Sequence, residues 1–213
     1  MTYPAELIRT ERAALIELLE TLTPAEWATP SLCDAWTVQQ VAAHLAWAPT
    51  LSGREFVPEL VRSRFRINET NARLGVRWAE RGTAAILDQH RRNLTADAKP
   101  KGVPGEAPLE DAVVHGLDIR RPLGRSRPIP RDAFALTAEF QLATRWPVSV
   151  SVGGNVRRRV QGLRLVADDL EWSHGQGAEV QGSAEALLLM LSGRAIGDDE
   201  LTGPGAPVLY SRL

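Results

Sequence analysis

The sequence predicts an α+β protein, in which a helical bundle precedes a small unit of mixed helices and strands. Apolar residues recur every three or four positions through most of the chain as far as Arg145, which is typical of amphipathic helices. After residue 147, short runs of alternating β-branched and polar residues are separated by glycines, which is typical of strands. With 44% hydrophobic and 24% charged residues, the composition is that of a folded globular protein. We therefore predict a helical bundle over 1–147 and an α+β unit over 148–213.

The first helices are predicted from periodicity and from their N-caps. Residues 4–21 form an amphipathic helical pattern. Thr23, followed by Pro24 and then by Glu26, is a capping box that predicts a short helical turn. Thr37 and Gln40 form a second capping box. The next helix is therefore expected to begin at about Thr37.

The bounds of the remaining helices and strands are predicted less precisely, from local composition and from the positions of proline and glycine. One long or broken helix is expected over 52–80, further helices over 84–94, 109–123 and 128–145, and a surface loop over 97–108. Strands are expected within 148–152 and 156–168, from residue 170 onwards, and within 203–213, with a helix capped by Ser183 over 184–192. The last third of the chain should therefore be the α+β unit.

Charge and cysteine content exclude several classes of function. A net charge of -1 and a pI near 6.4 disfavour binding to nucleic acid or to an anionic membrane. Cys33 is the one cysteine and cannot form an internal disulfide, and no signal-like or 18-residue apolar run is present. We expect a reducing, cytoplasmic setting and no membrane association. Cys33 is interpreted as structural, because nothing beside it would lower its pKa.

Two histidines and an aspartate form a candidate metal site. Asp111 and His115 are four residues apart on one predicted helix, so both side chains can reach one ion. His44 lies on another helix, on the side of Val41 and Leu45, and should point inward. Three protein ligands leave a coordination position open, as in catalytic zinc sites. An exposed aspartate and two ordinary core histidines are the alternative interpretation.

Other polar residues are given simpler interpretations. Asp118, three residues after His115, either accepts a hydrogen bond from that ring or pairs with a neighbouring arginine, and we favour the arginine pair. His90 lies among charged residues and His174 in a predicted turn, so both are expected at the surface. The arginines of 157–159 are expected on a solvated strand edge.

Four stretches of the chain carry a resemblance to a known family. They are CDAWTVQQVAAHLA at 33–46, DAVVHGLDIRRPLG at 111–124, GLRLVADDLEWSHGQG at 162–177 and SAEALLLMLSGR at 183–194. In this order they resemble the maleylpyruvate isomerase family of mycothiol-dependent enzymes, which is related to the DinB-like helical bundles. The resemblance covers almost the whole chain. It implies a four-helix DinB-like bundle followed by a small sterol-carrier-like α/β domain.

The resemblance also implies site residues. The family's metal ligands fall on His44, Asp111 and His115, and the characterised isomerase has glutamate where this chain has Asp111. The implied cofactors are a divalent metal, zinc by expectation, and mycothiol as the thiol co-substrate. The family's C-terminal domain supplies an arginine to the site, for which Arg194 is the candidate catalytic residue. The alternative for Arg194 is a solvated arginine that complements a helix dipole.

The expected function is therefore a metal-dependent enzyme with a small-molecule substrate and a low-molecular-weight thiol as partners. The resemblance implies that a metal-activated thiolate adds to a conjugated double bond, and rotation and elimination then complete the isomerisation; thiol transfer is equally open. One alternative is a non-catalytic binding or scaffold protein. Another is a metal-dependent hydrolase, although its candidate base, Glu110, should point about 100° away from Asp111. The expected assembly is a monomer or homodimer.

Overall fold

The computed structural model describes residues 4–33, 36–98, 103–146, 148–150 and 152–213. These residues form two compact units, which divide between Arg127 and Pro128. The first unit is helical, and the second combines helices with a small mixed sheet. The predicted α+β class is therefore confirmed. In the described part of the chain, no helix has the length and apolar character that crossing a membrane requires.

The first unit is built from amphipathic helices. Its helices are α1 (Ala5–Glu20), α2 (Pro24–Trp27), α3 (Val38–Trp47), α4 (Gly53–Arg62), α5 (Ile67–Ala79), α6 (Thr83–Thr95) and α7 (Ala107–Arg120). Helix α1 packs against α6 and α7, while α3 packs against α5, α6 and α7. The α3 helix is buried along most of its length, so it forms the centre of this unit.

Both predicted capping boxes are present. The Thr23 amide donates to a Glu26 carboxylate oxygen at 2.8 Å, and the Thr37 amide donates to Oε1 of Gln40 at 2.9 Å. Each threonine hydroxyl in turn accepts a hydrogen bond from the amide three residues on. These caps fix the starts of α2 and α3, and the second cap thereby sets the helical register of His44.

The predicted long or broken helix over 52–80 is two helices. Arg64 and Phe65 have φ angles of 51° and 63°, and this left-handed turn separates α4 from α5. The carboxylate of Glu59, on α4, lies 3.2 Å from Arg73 and 3.0 Å from Arg77, both on α5. A buried charge needs such partners, and here they join the two helices. The predicted loop over 97–108 lies partly outside the described residues.

The second unit contains helices on a mixed sheet. Its elements are α8 (Arg131–Ala143), α9 (Val156–Arg159), β1 (Leu163–Ala167), β2 (Trp172–Gly175), β3 (Ala178–Gly182), α10 (Ala184–Leu191), β4 (Leu201–Thr202) and α11 (Ala206–Tyr210). The strand order is β2-β1-β3-β4; β1 and β3 are parallel, and both outer pairs are antiparallel. Helix α10, capped by Ser183 as predicted, packs against α8 and β1.

Three strand predictions in this unit are wrong in whole or in part. Residues 148–150 form a 3-10 turn, and 156–159 form α9, whose first turn is capped by the Asn155 side chain. The alternation of valine and arginine suggested a strand, but the cap and the carbonyl partners of Arg159 favour the helical turn. At the C-terminus, β4 is only two residues long, and 206–210 is helical instead of extended.

The division between the two units differs from the predicted boundary. Residue 147 lies outside the described residues, and the compact units divide at 127/128 instead. The two boundaries differ in where they place α8, which packs against α9 and α10 of the second unit. Ala133, Phe134 and Ala138 of α8 are fully buried. Periodicity identified the helix correctly but could not say which unit its apolar face joins.

Candidate metal centre

The three predicted ligands come together between two helices of the first unit. His44 is on α3, and Asp111 and His115 are on α7, which packs against α3. One ligand atom from each residue lies within 4.8 Å of the other two. The i, i+4 spacing brings Asp111 beside His115, and the packing of the two helices adds His44. Two imidazole nitrogens and a carboxylate oxygen form a donor set that suits zinc.

Aromatic packing holds the two imidazoles in place. The His44 and His115 rings meet edge to face, with their centroids 5.1 Å apart. The Trp36 ring lies 5.3 Å from the His44 ring and 6.2 Å from the His115 ring. A Cβ atom at Gly75, on α5, would lie only 2.8 Å from the Trp36 ring. The absence of a side chain at Gly75 therefore gives the indole its space beside the histidines.

His44 is held as a neutral imidazole. It is only 7% exposed, and burial, with a smaller contribution from His115, lowers the pKa of His44 to about 3. A neutral ring has a free lone pair at neutral pH, which metal coordination requires. The Nδ1 atom of His44 is buried and has no hydrogen-bond partner within the described residues. An unsatisfied nitrogen of this kind fits a residue whose partner is a bound ion.

Asp118 orients the second imidazole. Its Oδ2 atom accepts a hydrogen bond from Nδ1 of His115 at 2.8 Å, and Asp118 is fully buried. Because a carboxylate can only accept, Nδ1 carries a proton, and in the neutral ring Nε2 is then the nitrogen with the lone pair. This contact confirms the first of the two interpretations of Asp118, the hydrogen bond with the His115 ring. The spacing of three residues was the available signal, but it did not show that both side chains share one buried face.

Cys33 forms a second group of potential ligands with the same histidine. The ligand atoms of Cys33, His115 and Asp118 also lie within 4.8 Å of one another. The Leu32 amide donates to the Asp118 carbonyl oxygen at 3.1 Å, which fastens the loop carrying Cys33 to α7. The interpretation of Cys33 as merely structural therefore missed its place beside His115. Sequence separation hid this proximity.

The other predicted polar residues lie as follows. His90 is 3% exposed, and its Nε2 donates to the Ala42 carbonyl oxygen at 2.9 Å, so the predicted surface position was wrong. His174 is exposed as predicted but belongs to β2, not to a turn. Arg194 follows α10 in the second unit and donates to the Ser192 carbonyl oxygen at 3.0 Å. Its catalytic role remains a prediction.

The part of the chain that matches a known family includes the whole of this site. The family model for the mycothiol maleylpyruvate isomerase N-terminal domain matches residues 8–120, which extend from α1 to the end of α7. The chain belongs to this family. The match includes all three candidate ligands as well as Cys33, Trp36 and Asp118. The predicted family is thereby confirmed.

Solved structures extend the likeness to the second unit. The crystal structure of the mycothiol-dependent maleylpyruvate isomerase is similar to this chain, with 14% sequence identity and a TM-score of 0.58. The structure of a histidine-to-alanine mutant of that isomerase has 15% sequence identity to this chain and a TM-score of 0.60. Each likeness covers 95% of this chain and 92% of the isomerase chain. At such low identity they establish a shared fold over both units. No curated protein sequence matches this chain.

Proposed function

We propose that this member of the mycothiol maleylpyruvate isomerase family is a metal-dependent enzyme that uses mycothiol to isomerise, or transfer a thiol to, a small molecule. The observation that carries the proposal is the convergence of His44, Asp111 and His115 within 4.8 Å. Family membership supports the thiol, and the fold shared with the isomerase supports the reaction class. A divalent ion, when bound, stabilises the thiolate form of a coordinating thiol, which is the nucleophilic form.

The chain's own residues would prepare this site in three ways. The buried and neutral His44 offers a lone pair without having to lose a proton at neutral pH. Asp118 holds Nδ1 of His115 protonated, so Nε2 is the nitrogen left for the ion. Trp36 packs on both rings and limits their rotation. Each of these effects lowers the cost of organising the ligands when the ion binds.

The position of Cys33 determines how the site must be tested. His115 belongs to both groups of potential ligands, so losing the ion in His115→Ala would not identify which group holds it. His44→Ala and Cys33→Ser separate the two groups, because each removes a ligand from one group only. We expect about one zinc per chain in the wild type and in Cys33→Ser, as in a single-ion site with the proposed ligands. We expect none in His44→Ala or His115→Ala.

The measurement is metal content by mass spectrometry after mild chelation and reloading with zinc, followed by assays of maleylpyruvate conversion with and without mycothiol. Zinc retained in His44→Ala but lost in Cys33→Ser would contradict the proposed ligands. Zinc binding without mycothiol-dependent turnover or binding would favour the non-catalytic binding protein. Turnover that needs zinc but no thiol would favour the metal-dependent hydrolase. Loss of turnover in Arg194→Ala, with zinc retained, would support the predicted role of Arg194.

A further inference from the structure

A groove in the second unit carries features that the metal centre does not account for. Its volume is about 570 Å³, within the range of pockets that hold small organic ligands. All of its lining residues lie between Glu139 and Gln176, within the second unit. They come from the end of α8, from α9 and the residues after it, and from the start of β1 and the end of β2.

The floor of the groove is apolar. Leu142, Val160 and Leu163 line it and are themselves buried against the rest of the unit. One wall depends on Gly175, which has a φ of +84°. A Cβ atom there would lie 2.4 Å from the Leu163 carbonyl oxygen, so any other residue would push β2 away from β1 at this point. The close approach of these two strands therefore shapes the wall.

The rim of the groove is basic. Arg145 and Arg157 both line it and both are exposed. Although Glu139 lines the same groove, neither guanidinium group forms an ion pair or hydrogen bond with any residue that the structure describes. By contrast, neighbouring Arg159 donates to the carbonyl oxygens of Met190 and Gly153. The two rim arginines thus offer ten N–H donors, five each, to a ligand.

We propose that this groove binds a small organic anion: a carboxylate, sulfonate or phosphate ester attached to an apolar body. The apolar body would cover Leu142, Val160 and Leu163, and the anion would take the donors of Arg145 and Arg157. Guanidinium groups bind such anions through paired, charge-assisted hydrogen bonds. His174, on the same rim, adds a further donor. The proposal involves no residue of the metal centre, so it does not rest on the proposed function.

The test titrates the ¹⁵N-labelled, zinc-loaded full-length chain with 4-phenylbutyrate and with its neutral analogue 4-phenylbutan-1-ol. We expect the carboxylate to shift the backbone amide signals of Gly162, Leu163, Gly175 and Gln176, which line the groove. The double variant Arg145→Ala/Arg157→Ala should bind it about tenfold or more weakly, since charge-assisted hydrogen bonds are lost. The alcohol should bind the wild type and the double variant equally weakly.

Arg158→Ala is the matched control. Arg158 is exposed and adjacent to Arg157, but it does not line the groove. This variant should bind 4-phenylbutyrate as the wild type does, which would attribute the effect to the rim and not to overall charge. The proposal is overturned if the carboxylate and the alcohol bind alike, if the shifted signals lie elsewhere, or if Arg158→Ala weakens binding as much as the double variant.

Discussion

At the scale of single residues, Asp118 is the clearest example of a side chain that acts through another. It touches His115 and is completely buried, so its carboxylate fixes the proton on Nδ1 of that ring. Replacement by asparagine keeps the shape but removes the charge. We expect Asp118→Asn to bind zinc about 10- to 100-fold more weakly, as is typical when the hydrogen-bond partner of a ligating histidine is changed.

A competition titration against a chromophoric zinc chelator measures this affinity. Asp118→Glu serves as the companion variant, since it restores the charge at an altered distance. Wild-type zinc affinity in Asp118→Asn would mean that the carboxylate does not tune His115. Its role would then be limited to packing.

His90 gives a pH dependence that does not involve the ligands. Burial, with a smaller contribution from Arg12, lowers the pKa of His90 to about 4, despite the opposing hydrogen bond to the Ala42 carbonyl. As the pH falls, His90 therefore takes up a proton near pH 6.5 in the unfolded chain but only near pH 4 in the folded chain. This contribution to stability is complete above pH 6.5 and is lost as the pH falls, by at most about 1.4 kcal/mol per pH unit.

Urea denaturation of the zinc-free protein between pH 7 and pH 4 measures the slope. In His90→Gln the amide can still donate to the Ala42 carbonyl, but the titrating group is gone. The decline in the free energy of unfolding should therefore be shallower in the variant. His44 titrates in the same direction in both proteins, so a slope identical to that of the wild type would show that His90 is not the titrating group.

At the scale of secondary structure, α5 supports the site without supplying a ligand. Gly75 leaves room for Trp36, which packs on His44. We expect Gly75→Ala to cost about 1–3 kcal/mol of stability through overpacking. We also expect weaker zinc binding, because the indole must shift against the rings. Thermal denaturation and the chelator titration report the two effects.

Gly116→Ala is the control for this prediction. Gly116 lies within α7 beside His115, yet a Cβ atom there would have no neighbour within 4 Å. Alanine in the interior of a helix should stabilise it by about 0.5–1 kcal/mol relative to glycine. If Gly75→Ala were as stable as Gly116→Ala, the contact between α5 and Trp36 would not be as tight as described.

The elements differ in how well local sequence specifies them. The capping boxes at Thr23 and Thr37 predicted the starts of α2 and α3 because every atom involved lies within four residues. The valine and arginine alternation of 156–160 predicted a strand wrongly, since part of what decides its conformation is distant: besides the local Asn155 cap, Arg159 donates to carbonyls at the end of α10. Helix periodicity also placed His44 inward correctly, but the burial of His90 depends on α3, far from it in sequence.

At the scale of the whole molecule, the division into two units places α8 in the second unit, which can be tested with fragments of the chain. Helix α8 packs against α9 and α10 of the second unit, and helices α1 to α7 of the first unit end before residue 128. We expect a 1–127 fragment to fold and bind zinc. A 1–147 fragment would carry α8 with Phe134 exposed and should associate or precipitate.

Circular dichroism, zinc stoichiometry and sedimentation of the two fragments measure this difference. A 1–147 fragment that folds as a monomer while 1–127 does not would support the boundary predicted from the sequence. The fold class and the family could be predicted from residue patterns. Residue patterns do not decide on which side of the boundary α8 falls, because that depends on which neighbour the helix packs against.

Asp118 makes two separate contacts, one through its side chain and one through its backbone. Its side chain fixes His115, while its carbonyl oxygen accepts the Leu32 amide and so holds the loop that leads to Cys33. A substitution at this position keeps the backbone carbonyl, but it changes the side-chain group that lies within 4.8 Å of the ligand atoms of both Cys33 and His115. Among relatives of this chain, we expect the residues equivalent to 31–33 and to 118 to vary in concert, as one inherited unit, although they are far apart in sequence.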